Sequence, residues 1–138
     1  MSVVYSVDVE ITVPVNDTEV TDRVADAIRN LFPEADPTHR EGKLVAEVHT
    51  LEGFSEKLHQ AEILDTARSV FFDNLSGDTF AFDLKKQAAF EGRVNFAVGE
   101  TAELGDIHVA VTVREPDAES YIDAVAPPTE DGKPVDPE

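Results

Sequence analysis

The chain has 138 residues, which is enough for one compact domain and short for two. Hydrophobic residues make up 41% and charged residues 29%, a balance that favours a packed core over a disordered chain. It holds no cysteine, which excludes disulfides, thiolate nucleophiles and cysteine-based zinc sites. No apolar run approaches the roughly 20 residues that span a bilayer, and the first residues lack signal-peptide features. We therefore expect a soluble cytoplasmic protein with no membrane partner.

The chain is strongly acidic, with 29 aspartates and glutamates against 11 lysines and arginines and a formal net charge of -18. Three explanations fit this charge: imitation of a nucleic acid, binding to basic proteins or cations, and adaptation to molar salt. A functional acidic tail is a block of about five or more like charges, whereas here the carboxylates are spread through every segment. This even spread favours a halophilic protein, whose anionic surface is screened by salt.

The first half of the chain alternates between predicted strands and helices. Apolar residues with a period of two predict a strand that ends at Pro14. Thr18 is the expected N-cap of an amphipathic helix that stops at Pro33, and a second strand is predicted from Lys43 to about Thr50. Ser55 is then the expected N-cap of one long helix, with a kink allowed, that closes near position 77.

The second half continues this pattern up to a proline-rich end. Further strands are predicted at 80–84, 94–98 and 107–113, a helical turn at 85–90, and a last helix at 116–125. This order predicts an α+β fold in which a mostly antiparallel sheet of about five strands carries its helices on one face. We expect residues 1–126 to form a single domain. Residues 127–138 hold four of the eight prolines and predict a disordered acidic, proline-rich tail.

No motif indicates an enzyme or a metal site. Glu56 and His59 have the Glu-x-x-His spacing of di-iron bundles, but those bundles need a second copy. The segment 73–78 resembles a calcium loop, yet Leu75 stands at a ligand position. We therefore predict that the protein is not an enzyme and assign no catalytic residue, metal, cofactor or small-molecule ligand.

One short stretch departs from the acidic background, because three cations and a single carboxylate lie between positions 85 and 93. Phe80, Phe82 and Phe96 lie on the adjoining predicted strands. Cations bind phosphates and aromatic rings stack on bases, so this combination predicts a contact with single-stranded RNA. Lys86 and Arg93 are expected to hold phosphates, and Gln87 is expected either to reach a base edge or to pack as a purely structural group. The candidate RNA-contacting residues are Lys85, Lys86, Gln87 and Arg93. The alternative is a solvated turn with an apolar underside.

Four segments also carry a resemblance to a known family: 63–68, 84–89, 104–107 and 126–129. With them the chain resembles the archaeal uncharacterised protein family 201. The resemblance implies an archaeal source, an α+β fold similar to the RNA-binding domain of large-subunit ribosomal protein five, RNA binding and a homodimer. The family's Lys-Gln-Ala-Ala run falls on 86–89, and Lys85 stands where an asparagine commonly precedes it.

Two functions remain open from the sequence. One is a non-enzymatic RNA-binding protein of unknown cellular role, whose RNA contact is local to the cations around position 86. The other is a protein–protein interaction module, a homodimer or an adaptor, that binds no nucleic acid. The open face or edge of the sheet is the surface that such a module would use.

Overall fold

A computed structural model describes residues 5–97, 105–130 and 133–134. One five-stranded sheet has the order β2-β3-β1-β5-β4, and every neighbouring pair is antiparallel. The strands are β1 (Ser6–Pro14), β2 (Thr38–Arg40), β3 (Lys43–Val48), β4 (Thr79–Lys85) and β5 (Asp106–Glu115). The helices are α1 (Thr21–Leu31), α2 (Glu52–Gln60), α3 (Leu64–Asp73), α4 (Lys86–Phe90) and α5 (Ala118–Val125). The predicted α+β class with a five-stranded antiparallel sheet is confirmed.

The core lies on one face of this sheet. In β1 the side chains of 7, 9, 11 and 13 are buried, while those between them are half-buried or exposed. Ile11 pairs with Ala46 on one side and with Val109 on the other, so the buried rows run across several strands. The buried residues of the helices belong to the same hydrophobic cluster. The opposite sheet face carries half-buried and exposed residues.

Two predicted helix starts are corrected. Helix α1 begins after Val20, which supplies no side-chain cap, so Thr18 is not the N-cap. Nearby, the carboxylate of Glu19 accepts hydrogen bonds from Asn16 and closes the preceding turn. Helix α2 begins after Leu51, so Ser55 lies inside the helix. The Ser55 hydroxyl donates to the Val125 carbonyl at 2.7 Å instead of capping.

The predicted long helix over 55–77 is two helices, α2 and α3. The break falls at 61–63, where Glu62 adopts a positive φ of 57°. The Ile63 N–H then bonds back to the Leu58 carbonyl at 3.2 Å, which closes the end of α2 before α3 begins. A continuous apolar stripe along the sequence therefore spans two separate helices that share one core.

The predicted strand at 94–98 is also corrected, since residues 94–97 do not form a strand. Val98 lies outside the described residues. Phe96 forms a single bridge to Leu84, and the Ala97 N–H donates to the Asp83 carbonyl at 2.8 Å. This segment covers the outer edge of β4 without forming a further strand. Such a cover satisfies backbone groups that an edge strand otherwise leaves open.

Two short features were not predicted. Strand β2 joins β3 through a two-residue turn, in which Glu41 and Gly42 both have positive φ angles. Such a turn suits the twist of a tight hairpin. In the expected tail, β6 (Thr129–Glu130) pairs with β7 (Lys133–Pro134). Residues 131–132 and 135–138 lie outside the described residues, and the boundary at position 126 stays a prediction.

Candidate nucleic-acid interface

Helix α4 and its flanks contain all four predicted RNA-contacting residues, and backbone contacts hold this segment in place. The Lys85 N–H donates to the Asn95 carbonyl at 2.8 Å, which ties the segment after α4 back to the end of β4. The Arg93 N–H donates to the Ala88 carbonyl at 2.9 Å. The Asn30 amide of α1 donates to the Ala89 carbonyl at 3.0 Å. Lys85 and Arg93 are thus brought to one short, anchored segment.

Three of the four predicted residues are exposed. Lys85, Gln87 and Arg93 all point to solvent. The Arg93 guanidinium lies 2.8 Å from the Glu91 carboxylate, and both side chains are more than half exposed. Exposed ion pairs of this kind are weak, so Arg93 can exchange Glu91 for a phosphate at little cost.

The expected phosphate contact of Lys86 is corrected. Its side chain is only 3% exposed, and its Nζ donates to the Pro14 carbonyl at 2.6 Å and to Glu19 Oε1 at 2.9 Å. The Glu19 side chain is 7% exposed, so the two groups form a buried ion pair. Helix α4 packs on α1, and the side chain of its first residue, Lys86, faces inward to the end of β1 and the β1–α1 loop. The neighbouring residues 85 and 87 face outward.

The environment of Glu19 favours its ionised form. Burial of the carboxyl opposes ionisation, but hydrogen bonds from the Asn16 N–H, from Lys86 and from the Asn16 side chain outweigh it. Together they hold the pKa of Glu19 below its usual value. The other carboxylate oxygen, Oε2, is buried and has no hydrogen-bond partner among the residues that the structure describes. The pair is therefore a charged, structural link between α4 and the β1–α1 loop.

The phenylalanines expected near the site do not reach its surface. Phe80, Phe82 and Phe96 are at most 8% exposed and contact one another and Phe71 in the core. The Phe71 and Phe82 ring centroids are 4.9 Å apart. The expectation that these rings stack on RNA bases is therefore wrong, because their alternation along the strands serves the interior.

A further cation was missed by the sequence reasoning. Lys57 of α2 is half-buried, and its Nζ lies 3.8 Å from the position that a Cβ on Gly92 would occupy. Gly92 has a φ of 75°, which favours glycine at this turn. No local pattern links Lys57 to position 92, since only the packing of α2 brings them together. We call the exposed residues Lys85, Gln87 and Arg93, together with half-buried Lys57, the α4 surface.

A cleft of about 780 Å³ lies elsewhere, where the ends of β3 and α5 meet the start of α2. Its tyrosines are structural: the Tyr121 hydroxyl accepts a hydrogen bond from the Leu51 N–H at 2.9 Å, and its ring lies 5.0 Å from that of Tyr5. Burial raises the pKa of Tyr121 to about 12.

Within 5–97, 105–130 and 133–134, no group of three or more histidines and carboxylates is arranged to hold a metal. No helix in the same ranges has the length and apolar character to cross a bilayer.

A family model and archaeal relatives match most of this chain. A family model described as RNA binding matches residues 8–114. A UPF0200/UPF0201 protein of Archaeoglobus fulgidus is 37% identical over 131 residues, which cover 94% of this chain and 40% of that protein. The chain thus spans less than half the length of that relative. A UPF0201 protein of Sulfurisphaera tokodaii is 39% identical, with 91% of this chain and 90% of the relative covered.

Two solved structures have the same fold as this chain. The crystal structure of a UPF0201 protein from Methanococcus jannaschii superimposes with a TM-score of 0.87 at 32% identity, covering 94% of this chain and 99% of that one. A second UPF0201 crystal structure has a TM-score of 0.82 at 34% identity, covering 93% and 99%. The chain belongs to the archaeal UPF0201 family, whose matching model is described as RNA binding.

Proposed function

We propose that this protein is a non-enzymatic RNA-binding protein of the archaeal cytoplasm, and that the α4 surface contacts the RNA backbone. The observation that carries the proposal is the match to a model described as RNA binding over residues 8–114, a range that contains the whole α4 surface. The exposed positions of Lys85, Gln87 and Arg93 support it further.

The chemistry of the α4 surface favours phosphate contacts over base stacking. Its three cations can displace counterions from phosphates, and binding through them weakens as salt rises. The nearby phenylalanines are buried, so stacked bases are not expected to supply affinity. Gln87 is the exposed group that can donate to and accept from a base edge or a ribose hydroxyl.

The net charge of -18 restricts where RNA can approach the protein. Carboxylates elsewhere on the protein repel a phosphate backbone, so an approaching RNA meets least repulsion where cations are concentrated. Salt shortens the range of that repulsion, to about 3 Å at molar concentration. We expect binding to be local, modest in affinity and limited to a few phosphates.

Crosslinking and co-purification of RNA at the salt concentration of the source cell test the proposal. The intact protein is compared with a Lys85→Gln/Arg93→Gln double variant, which removes two positive charges from the α4 surface. A matched control, Arg29→Gln/Arg114→Gln, removes two exposed cations elsewhere whose surface ion pairs contribute little to stability. We expect RNA with the intact protein and the control and a clear loss with the α4 variant. Equal recovery from all three proteins, or no RNA at all, would overturn the proposal.

The second candidate function is protein interaction, with a homodimer as its simplest form. It is favoured by the sheet face opposite the core, where Thr12, Ala81, Ala110 and Thr112 present small, half-buried side chains. Light scattering in high KCl separates a monomer from a dimer. A dimer that recovers no RNA would favour this function over RNA binding.

A further inference from the structure

Three cations from two distant parts of the sequence lie in a row along one end of the open sheet face. Arg40 pairs with Lys43 across the β2–β3 hairpin, and Lys43 pairs with Pro14 at the end of β1. Lys85 ends β4 and pairs with Asp106 at the start of β5. Residues 44 and 84, next to these lysines, are buried in the core. Because side chains alternate along a strand, Arg40, Lys43 and Lys85 all lie on the opposite, open face.

These three charges are available to a ligand. Within the described ranges, none of the three forms an ion pair, although five other cations do. All three side chains belong to exposed residues. An unpaired exposed cation can bind a phosphate without first losing a partner, which distinguishes this row from Arg93 and its carboxylate neighbour.

The sheet fixes the spacing of the row. Neighbouring strands lie about 4.8 Å apart, so the three steps from β3 to β4 place Lys43 about 14 Å from Lys85, and β2 extends the row to about 19 Å. One phosphate group cannot reach both ends of such a row. An extended polyanion can, since it offers a phosphate at each of several points along its length.

We infer that bound RNA continues from the α4 surface across the end of the open sheet face, with its backbone running past Lys85 to Lys43 and Arg40. This inference rests on the proposed function and extends its contact area. A backbone hydrogen bond fixes the β2–β3 hairpin, since the Val15 N–H donates to the Gly42 carbonyl at 2.8 Å. This bond holds the hairpin turn against the end of β1, where Lys43 pairs with Pro14.

Two carboxylates oppose this row: half-buried Asp106 lies beside Lys85, and exposed Glu41 lies in the hairpin turn. Glu41 offers a test in the opposite direction. Glu41 stands between the two hairpin cations with a φ of 44°. Asparagine adopts this left-handed conformation readily, so Glu41→Asn removes a negative charge without straining the turn. If RNA passes the hairpin, this variant binds RNA more tightly than the intact protein.

Fluorescence anisotropy over a series of KCl concentrations measures these effects, with a fluorescein-labelled oligouridylate and a labelled RNA duplex as probes. Arg40→Gln/Lys43→Gln is compared with the control Arg29→Gln/Arg114→Gln, which changes the net charge equally. We expect the hairpin variant to lose affinity on the order of tenfold at low salt. The slope of log affinity against log salt should become shallower by about 1.4 for single-stranded RNA, equivalent to two lost phosphate contacts.

The outcomes separate this inference from the function on which it rests. If Lys85→Gln/Arg93→Gln loses affinity while the hairpin variant matches the control, RNA binds the α4 surface alone and the inference is wrong. If neither variant differs from the control, or no protein binds either probe, the proposed function fails as well. Loss of affinity in both variants, with a gain in Glu41→Asn, supports the continuous path.

Discussion

Replacement of Lys86 by methionine tests whether its charge is structural. The variant keeps most of the apolar stem and removes the ammonium that donates to the Pro14 carbonyl at 2.6 Å and to Glu19 at 2.9 Å. Removing one partner of a buried ion pair costs about 3 to 5 kcal/mol. Asn16 still donates two hydrogen bonds to the remaining carboxylate, so we expect the lower end, about 3 kcal/mol.

Urea unfolding, followed by circular dichroism, measures this loss of unfolding free energy. Urea is used because it leaves the ionic strength unchanged. A cost of about 3 kcal/mol corresponds to a fall in melting temperature on the order of 10 °C for a domain of this size. The matched variants are Glu19→Gln and the double variant Lys86→Met/Glu19→Gln. We expect the double variant to be about 2 kcal/mol more stable than the sum of the two single-variant costs predicts, since it leaves no unpaired buried charge.

Two results would refute the reasoning. The first is a cost below about 1 kcal/mol for Lys86→Met, which is the range of exposed ion pairs. The second is strict additivity in the double variant, which would show that the two charges do not stabilise each other. Either result would show that the charge of Lys86 contributes little to the stability of the fold.

Three further predictions concern pH, a glycine and salt. The pKa of Glu19 is lower in the folded state than its usual value of 4.5, so its ionisation stabilises the fold above pH 4.5. This stabilisation is lost as the pH falls through the folded pKa. The free energy of unfolding of Glu19→Gln should therefore depend less on pH in the acid range. Gly105→Ala should destabilise by more than about 1 kcal/mol in urea, because φ is 86° and the added Cβ would lie 2.4 Å from Pro14 Cγ. The melting temperature should rise between low and molar KCl as carboxylate repulsion is screened, and an indifferent midpoint would contradict salt adaptation.

Local sequence patterns predicted the elements that bury a full face. Strands β1, β4 and β5 and helix α1 were found because their apolar residues repeat with the period of the element. Strand β2 was missed because all three of its residues are exposed, so its sequence has no alternation to detect. The division of the long helix was missed because one apolar stripe serves both α2 and α3.

The site shows the same division between local pattern and packing. The sequence located a cationic stretch around α4, but it could not tell which lysine faces inward. That depends on the packing of α4 against α1, which brings Lys86 to Glu19 and leaves Lys85 in solvent. The proximity of Lys57 to Gly92 likewise depends on how α2 packs.

The sequence by itself therefore determined the α+β class, the main strands and helices and the region of positive charge. These features are encoded in neighbouring residues, whose spacing along the chain reflects which side of an element is buried. Tertiary structure alone decided which charges are buried and which are exposed, and it aligned Arg40, Lys43 and Lys85 along one end of the sheet. Such groupings arise from strand order and helix docking, because contacts between distant residues leave no periodic signal in the chain.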